Sequence, residues 1–230
     1  MASSAEELFN TASHKLASTL GVLVGLAGIQ HGILEIMQGK TRVLGMMIDA
    51  IGPGQQLWKY ASAPALTIIP DMRVTGLFAS VLGIFVAWWS LTHISDRYGA
   101  GVFLIVSLLL FFVGGGIAPI TLTLLSFIAG RSIQKPLGWW RKRMSSELRE
   151  KLVTLWPWTL VLGVVCFAVS TEIAIFGQPL SGLFSPINAL GTQVYLAYLM
   201  LFLTMLSVPV AFAVDIERAL LAEGQPGDEV

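Results

Sequence analysis

The chain has 230 residues, of which 55% are hydrophobic and only 12% are charged, and its mean hydropathy is +0.75. Soluble domains carry about twice this share of charged residues, so the composition excludes a disordered protein and argues against a soluble enzyme. Lysine and arginine together number 14, as do aspartate and glutamate, which excludes a basic nucleic-acid-binding protein. The single cysteine, Cys166, excludes a disulfide scaffold. We therefore expect one all-α domain over 1–230 that crosses the cell membrane several times and is surrounded by the lipid bilayer.

Five apolar segments are long enough to cross a bilayer as helices, which takes about 20 residues each. Such runs, without an alternating pattern of about ten residues, favour helices over a β-barrel. The segments lie at about 17–37, 74–94, 100–130, 152–175 and 188–214, and a short acidic tail, 219–230, follows them.

The connection between the first two spans, about 38–72, mixes apolar residues with prolines and charges. It is too interrupted to cross the membrane. The pattern predicts an interfacial helix near 43–51 followed by a lid-like loop, or an ordinary connecting loop.

The third span has a break in its middle. Gly114, Gly115 and Gly116 weaken a helix there, and Pro119 lacks a backbone N–H. One alternative is a single long span that is broken at this hinge. The other is a re-entrant hairpin, whose arms of about 13 residues would be about 20 Å long and too short to cross fully.

The distribution of lysine and arginine favours the first alternative, since these residues concentrate on the cytoplasmic side. With five crossing helices the N-terminus is outside, the C-terminus is cytoplasmic, and twelve of the 14 cations are cytoplasmic. The hairpin alternative puts both termini inside, with ten cations inside and four outside. We therefore predict five spans, the third broken at 114–119.

The first span carries glycines spaced by four, three and four residues, which places them on one narrow stripe of a helix. Small residues in such a stripe allow another helix to approach closely. The sequence leaves open whether that helix belongs to the same chain, to a second copy, or to another membrane protein. The four positions are Gly21, Gly25, Gly28 and Gly32.

His31 and Glu35 lie beside this stripe and are four residues apart, so they share a helix face and can hydrogen-bond each other. Ionisable groups inside a membrane are costly and mark functional sites. Histidine exchanges protons near physiological pH, so the pair is a candidate proton relay. The structural alternative is a neutral pair that fixes the helix packing.

Glu172 is the second intramembrane acid, near the end of the fourth span. Gln193 and Tyr195, at the start of the fifth span, would face it in a polar pocket, unless Glu172 is hydrated at headgroup depth. With five spans, Glu35 and Glu172 would lie near opposite faces, as two ends of a pathway. With a hairpin, His31, Glu35 and Glu172 could form one site.

These features favour proton-linked transport of a small solute or ion. The alternative is a non-catalytic subunit that assembles through its glycine-striped first helix. The sequence contains no Walker A motif, no His-Glu-x-x-His and no Cys-x-x-Cys. We therefore expect no cofactor, no metal centre and no catalytic residues, and an enzyme is the less favoured class.

Overall fold

The computed structural model describes residues 9–177 and 189–224, apart from the side chains of 189, 190, 192 and 193. Most of the described chain is helical. Its helices are α1 Thr11–Met37, α2 Met72–Thr92, α3 Gly99–Phe112, α4 Pro119–Ser132, α5 Gly138–Arg143, α6 Ser146–Leu155, α7 Trp158–Phe176 and α8 Ala189–Gly224. Two short strands, β1 Met47–Asp49 and β2 Pro64–Leu66, and a 3₁₀ turn, Pro53–Gln55, lie between α1 and α2.

Within residues 9–177 and 189–224, four helices are long and apolar enough to cross a membrane: α1, α2, α7 and the part of α8 over Val194–Gly224. Their outward faces are apolar as well. On α2, the exposed large side chains recur every three or four residues along one stripe, which suits contact with lipid tails rather than water. They are Val74, Leu77, Phe78, Val81, Ile84, Trp88 and Leu91. The protein is thus an all-α membrane protein, as its composition indicates.

The glycine stripe of α1 packs against α2 and α3 of the same chain. A Cβ atom at Gly25 would lie 2.5 Å from the carbonyl oxygen of Gly83, and one at Gly28 would lie 2.7 Å from a methyl group of Leu110. Gly21 and Gly32 meet α2 in the same way, at Ser90 and at Gly76 with Ser80. The stripe therefore serves helix packing within the chain.

The chain turns back on itself at 113–118, so α3 and α4 form an antiparallel hairpin. The start of α3 meets the end of α4, because a Cβ at Gly130 would lie 3.1 Å from that of Ala100. The hairpin tip reaches the other end of the bundle, next to Glu35 of α1. The break was predicted correctly, but the favoured course of a fifth crossing helix is wrong, and the hairpin alternative describes the structure. Each arm has 14 residues, about 21 Å.

The start of α1 and the end region of α8 lie at the same end of the bundle. The carboxylate of Asp215 accepts hydrogen bonds from the backbone N–H groups of Ala12 and Ser13, each at 2.8 Å, and from the Ser13 hydroxyl at 2.7 Å. Five crossing helices would have placed these two helix ends on opposite sides, whereas the structure brings them together. The turn between α3 and α4 explains the difference, because it returns the chain to the side from which it came.

This end, called the basic end below, also holds the connection from α4 to α7. The short helices α5 and α6 are tied to α8 by ion pairs, Arg141 with Glu223 and Arg149 with Glu217. Helix α8 consequently continues to Gly224, so the acidic tail predicted over 219–230 is helical up to that residue.

Residues 38–71 cover the opposite end of the bundle and are called the cap. Strands β1 and β2 pair in antiparallel fashion, with Ile48 opposite Ala65. The interfacial helix predicted near 43–51 is therefore replaced by a strand. The reason is tertiary: β2 also pairs with the hairpin tip, because Gly114 N–H donates to the carbonyl of Leu66 at 2.8 Å and Ile117 N–H to that of Pro64 at 3.2 Å.

Candidate functional site

The candidate site lies beneath the cap, where the last turns of α1 meet the hairpin tip. Three elements build it: α1 supplies His31 and Glu35, the tip supplies two glycines, and the cap closes over both. Gly114 and Gly116 have positive φ angles, +100° and +88°, which let the tip turn tightly. Because glycine has no side chain, both positions also leave room for the side chains of α1. Pro119 then opens α4, where its fixed φ suits the first helical turn.

Glu35 is the most unusual residue of the site. Its side chain is fully buried, at 0% exposure. Neither carboxylate oxygen accepts a hydrogen bond from any residue that the structure describes. Both oxygens lie against Gly114, since a Cβ there would be 2.5 Å from Oε2 and 2.6 Å from Oε1. A buried acid without a protein partner is costly to keep, so this one needs a reason other than stability.

His31 stands one turn before Glu35 and is also buried, at 8% exposure. Its Nδ1 lies 2.9 Å from the carbonyl oxygen of Ala27. Because a carbonyl only accepts hydrogen bonds, Nδ1 carries the proton in this contact, and Nε2 is left with a lone pair in the neutral ring. The ring edge faces Gly116, where a Cβ would be 2.8 Å from Nε2. The histidine and the acid thus each face one positive-φ glycine of the tip.

A partly open cavity of about 160 Å³ lies beside His31, bordered by the cap, the start of α4, α7 and α8. Its polar lining consists of His31, Ser62, Ser170 and Thr171, and the remainder is apolar. The apolar lining comprises Ala27, Ala63, Pro64, Ala118, Pro119, Phe167, Ala174, Ile175, Ala197 and Met200. A mostly apolar cavity with a few polar groups is typical of a small-molecule site.

The cap is fastened over this region at several points. Gln38 donates from Nε2 to the carbonyls of Asp49 and Ala50, at 3.0 and 2.7 Å, and Gln55 donates to the carbonyl of Leu34 at 3.2 Å. These bonds tie the cap to the last turns of α1. On the other side, Ser62 N–H donates to the Ala174 carbonyl of α7 at 3.2 Å. The cap is therefore an ordered closure of the site.

Two threonines hold the cap to the hairpin tip and were missed by the sequence analysis. The Thr75 hydroxyl donates to the Val113 carbonyl at 2.8 Å, and the Thr67 hydroxyl bonds that of Thr75 at 2.5 Å. Both residues are fully or almost fully buried. Thr67 lies in the cap and Thr75 in α2, and neither position has a local pattern that points to the hairpin tip, so only the fold reveals this contact.

Glu172 lies at the same end of the bundle but outside the buried pair. It is exposed, and its Oε1 accepts a hydrogen bond from Gln30 Nε2 at 3.2 Å. Glu35 and Glu172 therefore do not occupy opposite faces, and a pathway that uses them as its two ends is excluded. The alternative for Glu172, hydration at headgroup depth, stays a prediction.

The remaining predicted residues of the polar pocket do not join the site. Tyr195 is 76% exposed on the surface of α8. The side chain of Gln193 lies outside the described residues. Nor do three His, Cys, Asp or Glu side chains converge as metal ligands anywhere in 9–177 or 189–224. His31 and Glu35 both lie against the hairpin tip, but the hydrogen bond predicted between them is not formed, and only His31 lines the cavity.

Comparison of the chain with known protein families, with characterised proteins and with solved structures gives no match.

Proposed function

We propose that the protein moves a small solute or ion across the membrane in a proton-linked manner, and that Glu35 and His31 carry the proton. The observation that carries this proposal is the fully buried Glu35 carboxyl, which has no hydrogen-bond partner among the described residues. Evolution retains such groups inside membranes when they bind ions or protons, because their structural cost is high.

His31 supplies the second proton-exchanging group. With Nδ1 held by the Ala27 carbonyl, the proton gained or lost is the one on Nε2. This nitrogen is at the ring edge that borders the tip, and the ring itself lines the cavity. A change in charge at His31 therefore acts directly on whatever occupies the cavity, which is the coupling that proton-linked transport requires.

The cavity limits the class of solute. A cavity of about 160 Å³ has the volume of about five water molecules in the liquid. Its few polar groups are neutral hydroxyls and one imidazole, so the favoured solute is small and largely apolar, with one hydrogen-bonding group. A small monovalent cation with part of its hydration shell is the ionic alternative.

The proposed membrane arrangement has four crossing helices, and the α3–α4 hairpin enters from the basic end. Ten of the 14 lysines and arginines lie at the basic end and four at the cap end. By the positive-inside rule the basic end faces the cytoplasm, so in a cell membrane both ends of the chain are cytoplasmic and the cap faces outside. The four cations at the cap end are Lys40, Arg42, Lys59 and Arg73.

The test is a proton-uptake measurement on proteoliposomes that contain a pH-sensitive dye. A potassium diffusion potential drives uptake, with and without a panel of small apolar alcohols, amines and carboxylic acids outside. We expect uptake in the wild-type protein that is stimulated by at least one compound and lost in Glu35→Gln. The matched control is Glu172→Gln, which changes an exposed acid at the same end and should keep the wild-type rate.

Two results would count against the proposal. The first is equal uptake in wild type and Glu35→Gln, which would remove Glu35 from the proton path. The second is an infrared carboxyl band that shows no pH response attributable to Glu35, since a proton carrier must change its protonation state.

A further inference from the structure

A second and larger cavity, of about 460 Å³, opens at the basic end. It lies between the turn that joins α2 to α3 and the end of α4, about as far from His31 and Glu35 as the bundle allows. Three cations line it: Arg97 from the turn, Arg131 from the last turn of α4, and Lys135 just after α4. Arg97 precedes α3, whereas Arg131 and Lys135 lie at the end of α4, so the antiparallel hairpin brings the three side chains together.

Among the described residues, three of the other cations at the basic end are paired with acids, whereas the three cavity cations are not. Arg141, Arg149 and Lys151 each form an ion pair with a glutamate. No carboxylate lies within 4.0 Å of the charged groups of Arg97, Arg131 or Lys135 in the described part of the chain. Asp96 is the one acid in the cavity lining. The cavity therefore carries an excess of positive charge that the protein itself does not neutralise.

The surroundings of the cavity are typical of a membrane interface. Its inner wall is formed by the apolar helices α3 and α4, through Ala100, Gly101, Phe127 and Gly130. At its rim, Tyr98 is 68% exposed, and the guanidinium carbon of Arg97 lies 5.2 Å from the centre of its ring. Exposed tyrosine beside arginine at the end of an apolar helix is typical of the membrane interface.

The cavity offers hydrogen-bond donors in addition to charge. Gln134 and Ser95 line it together with the two guanidinium groups. Guanidinium groups bind phosphate in bidentate fashion, with charge-assisted hydrogen bonds. Helix α3 also begins at this cavity without a side-chain cap; the N–H of Gly99 donates to the carbonyl of Asp96 at 2.8 Å, and Ala100 and Gly101 of the same turn line the cavity.

From this arrangement we propose that the cavity formed by Arg97, Arg131 and Lys135 binds the phosphate group of an anionic phospholipid from the cytoplasmic leaflet. The acyl chains of such a lipid would lie along the apolar surface of α3 and α4, where Ile105 and Ile128 are exposed. The same phosphate chemistry would also accept free inorganic phosphate, and the experiment distinguishes the two sources. This inference does not depend on the proposed transport activity.

The experiment uses the full-length protein in nanodiscs of phosphatidylcholine, into which phosphatidylglycerol is titrated. Native mass spectrometry counts the bound anionic lipid, and the unfolding temperature reports its effect. We expect one saturable phosphatidylglycerol per chain, with an affinity about tenfold or more weaker in Arg97→Gln/Arg131→Gln, since two charge-assisted contacts are lost. The matched control is Lys142→Gln/Arg143→Gln, which removes the same charge from exposed positions outside the cavity.

Inorganic phosphate is tested separately, without anionic lipid. If it raises the unfolding temperature of the wild type but not of Arg97→Gln/Arg131→Gln, while phosphatidylglycerol has no effect, the phosphate site stands and its ligand is the soluble anion. If both double variants bound phosphatidylglycerol with equally weakened affinity, the binding would depend only on general surface charge, and the proposal would be overturned. So would the lack of any saturable binding by either probe, provided that circular dichroism shows every variant to be folded.

Discussion

The Glu35 carboxylate lies against the α-carbon of Gly114, so closely that a methyl group at position 114 would stand 2.5 Å from Oε2. The residues are 79 positions apart in the chain. Their contact joins the last turn of the central helix to the tip of a hairpin that enters from the opposite end. It is made possible by a φ of +100°, which glycine adopts freely and other residues rarely do.

Gly114→Ala tests this contact. The substitution combines an unfavourable φ with the overlap on Glu35, and we expect a loss of about 3 kcal/mol in unfolding free energy. The control is Gly45→Ala, which has a similar φ of +91° but no atom within 4 Å of the added methyl group. That variant should lose only about 1 kcal/mol. Equal losses in denaturant titrations of the two variants would show that the carboxylate contact contributes nothing.

Glu35→Met should stabilise the protein. Methionine has nearly the same length, and it replaces a buried acid that has no partner among the described residues. We expect a gain of about 1–3 kcal/mol, the usual cost of an unpaired buried polar group. In Glu172→Met, an exposed acid is replaced, and the change should stay within about 0.5 kcal/mol. A marked destabilisation of Glu35→Met would mean that its carboxyl is bonded after all.

Two helical Gly→Ala substitutions, one inside the glycine stripe and one outside it, should have opposite effects on stability. A methyl group at Gly25 would overlap the Gly83 carbonyl at 2.5 Å, so Gly25→Ala should force α1 and α2 apart and cost about 2 kcal/mol or more. Gly101→Ala in α3 meets no atom within 4 Å and should gain about 0.5–1 kcal/mol from helix propensity. Thermal unfolding in detergent measures both. A loss of oligomer without a loss of stability in Gly25→Ala would contradict the packing within the chain.

Asp215→Ala tests the connection at the basic end. Asp215 is 4% exposed and caps the start of α1 with three hydrogen bonds, in place of Asn10, whose side chain does not cap it. We expect a loss of about 2–3 kcal/mol. Asp71→Ala removes a cap on α2 that is local in sequence, and about 1 kcal/mol is expected there. Comparable losses in urea titrations would show that α1 and α8 are not coupled through Asp215.

Side-specific cysteine labelling tests the hairpin. In a Cys166→Ala background, Tyr98→Cys, before α3, and Ser145→Cys, after α4, should react from the same side of sealed vesicles. Lys59→Cys in the cap should react from the other side. All three wild-type positions are exposed, so reactivity reports sidedness rather than burial. Labelling of positions 98 and 145 from opposite sides would restore a fifth crossing helix.

The sequence determined the class of the protein and the local chemistry of its helices. A mean hydropathy of +0.75 with 12% charged residues indicates a membrane protein. The spacing of the glycines in α1 and the break at 114–119 were readable, because both depend on helix geometry and on backbone freedom, which are local properties. His31 and Glu35 were likewise identified as candidate site residues from their residue types and their spacing of four.

Only the tertiary structure decided the direction of the chain after the break, and with it the position of every later element. A broken helix and a hairpin share the same local sequence. The choice depends on contacts such as those of Gly130 with Ala100 and of Gly114 with Leu66, which join residues far apart in the chain. The count of charges favoured the wrong course, because it is an average bias whereas packing is specific. Burial of Glu35 without a partner is likewise a property of the assembled bundle, since no single helix can enclose its own side chain.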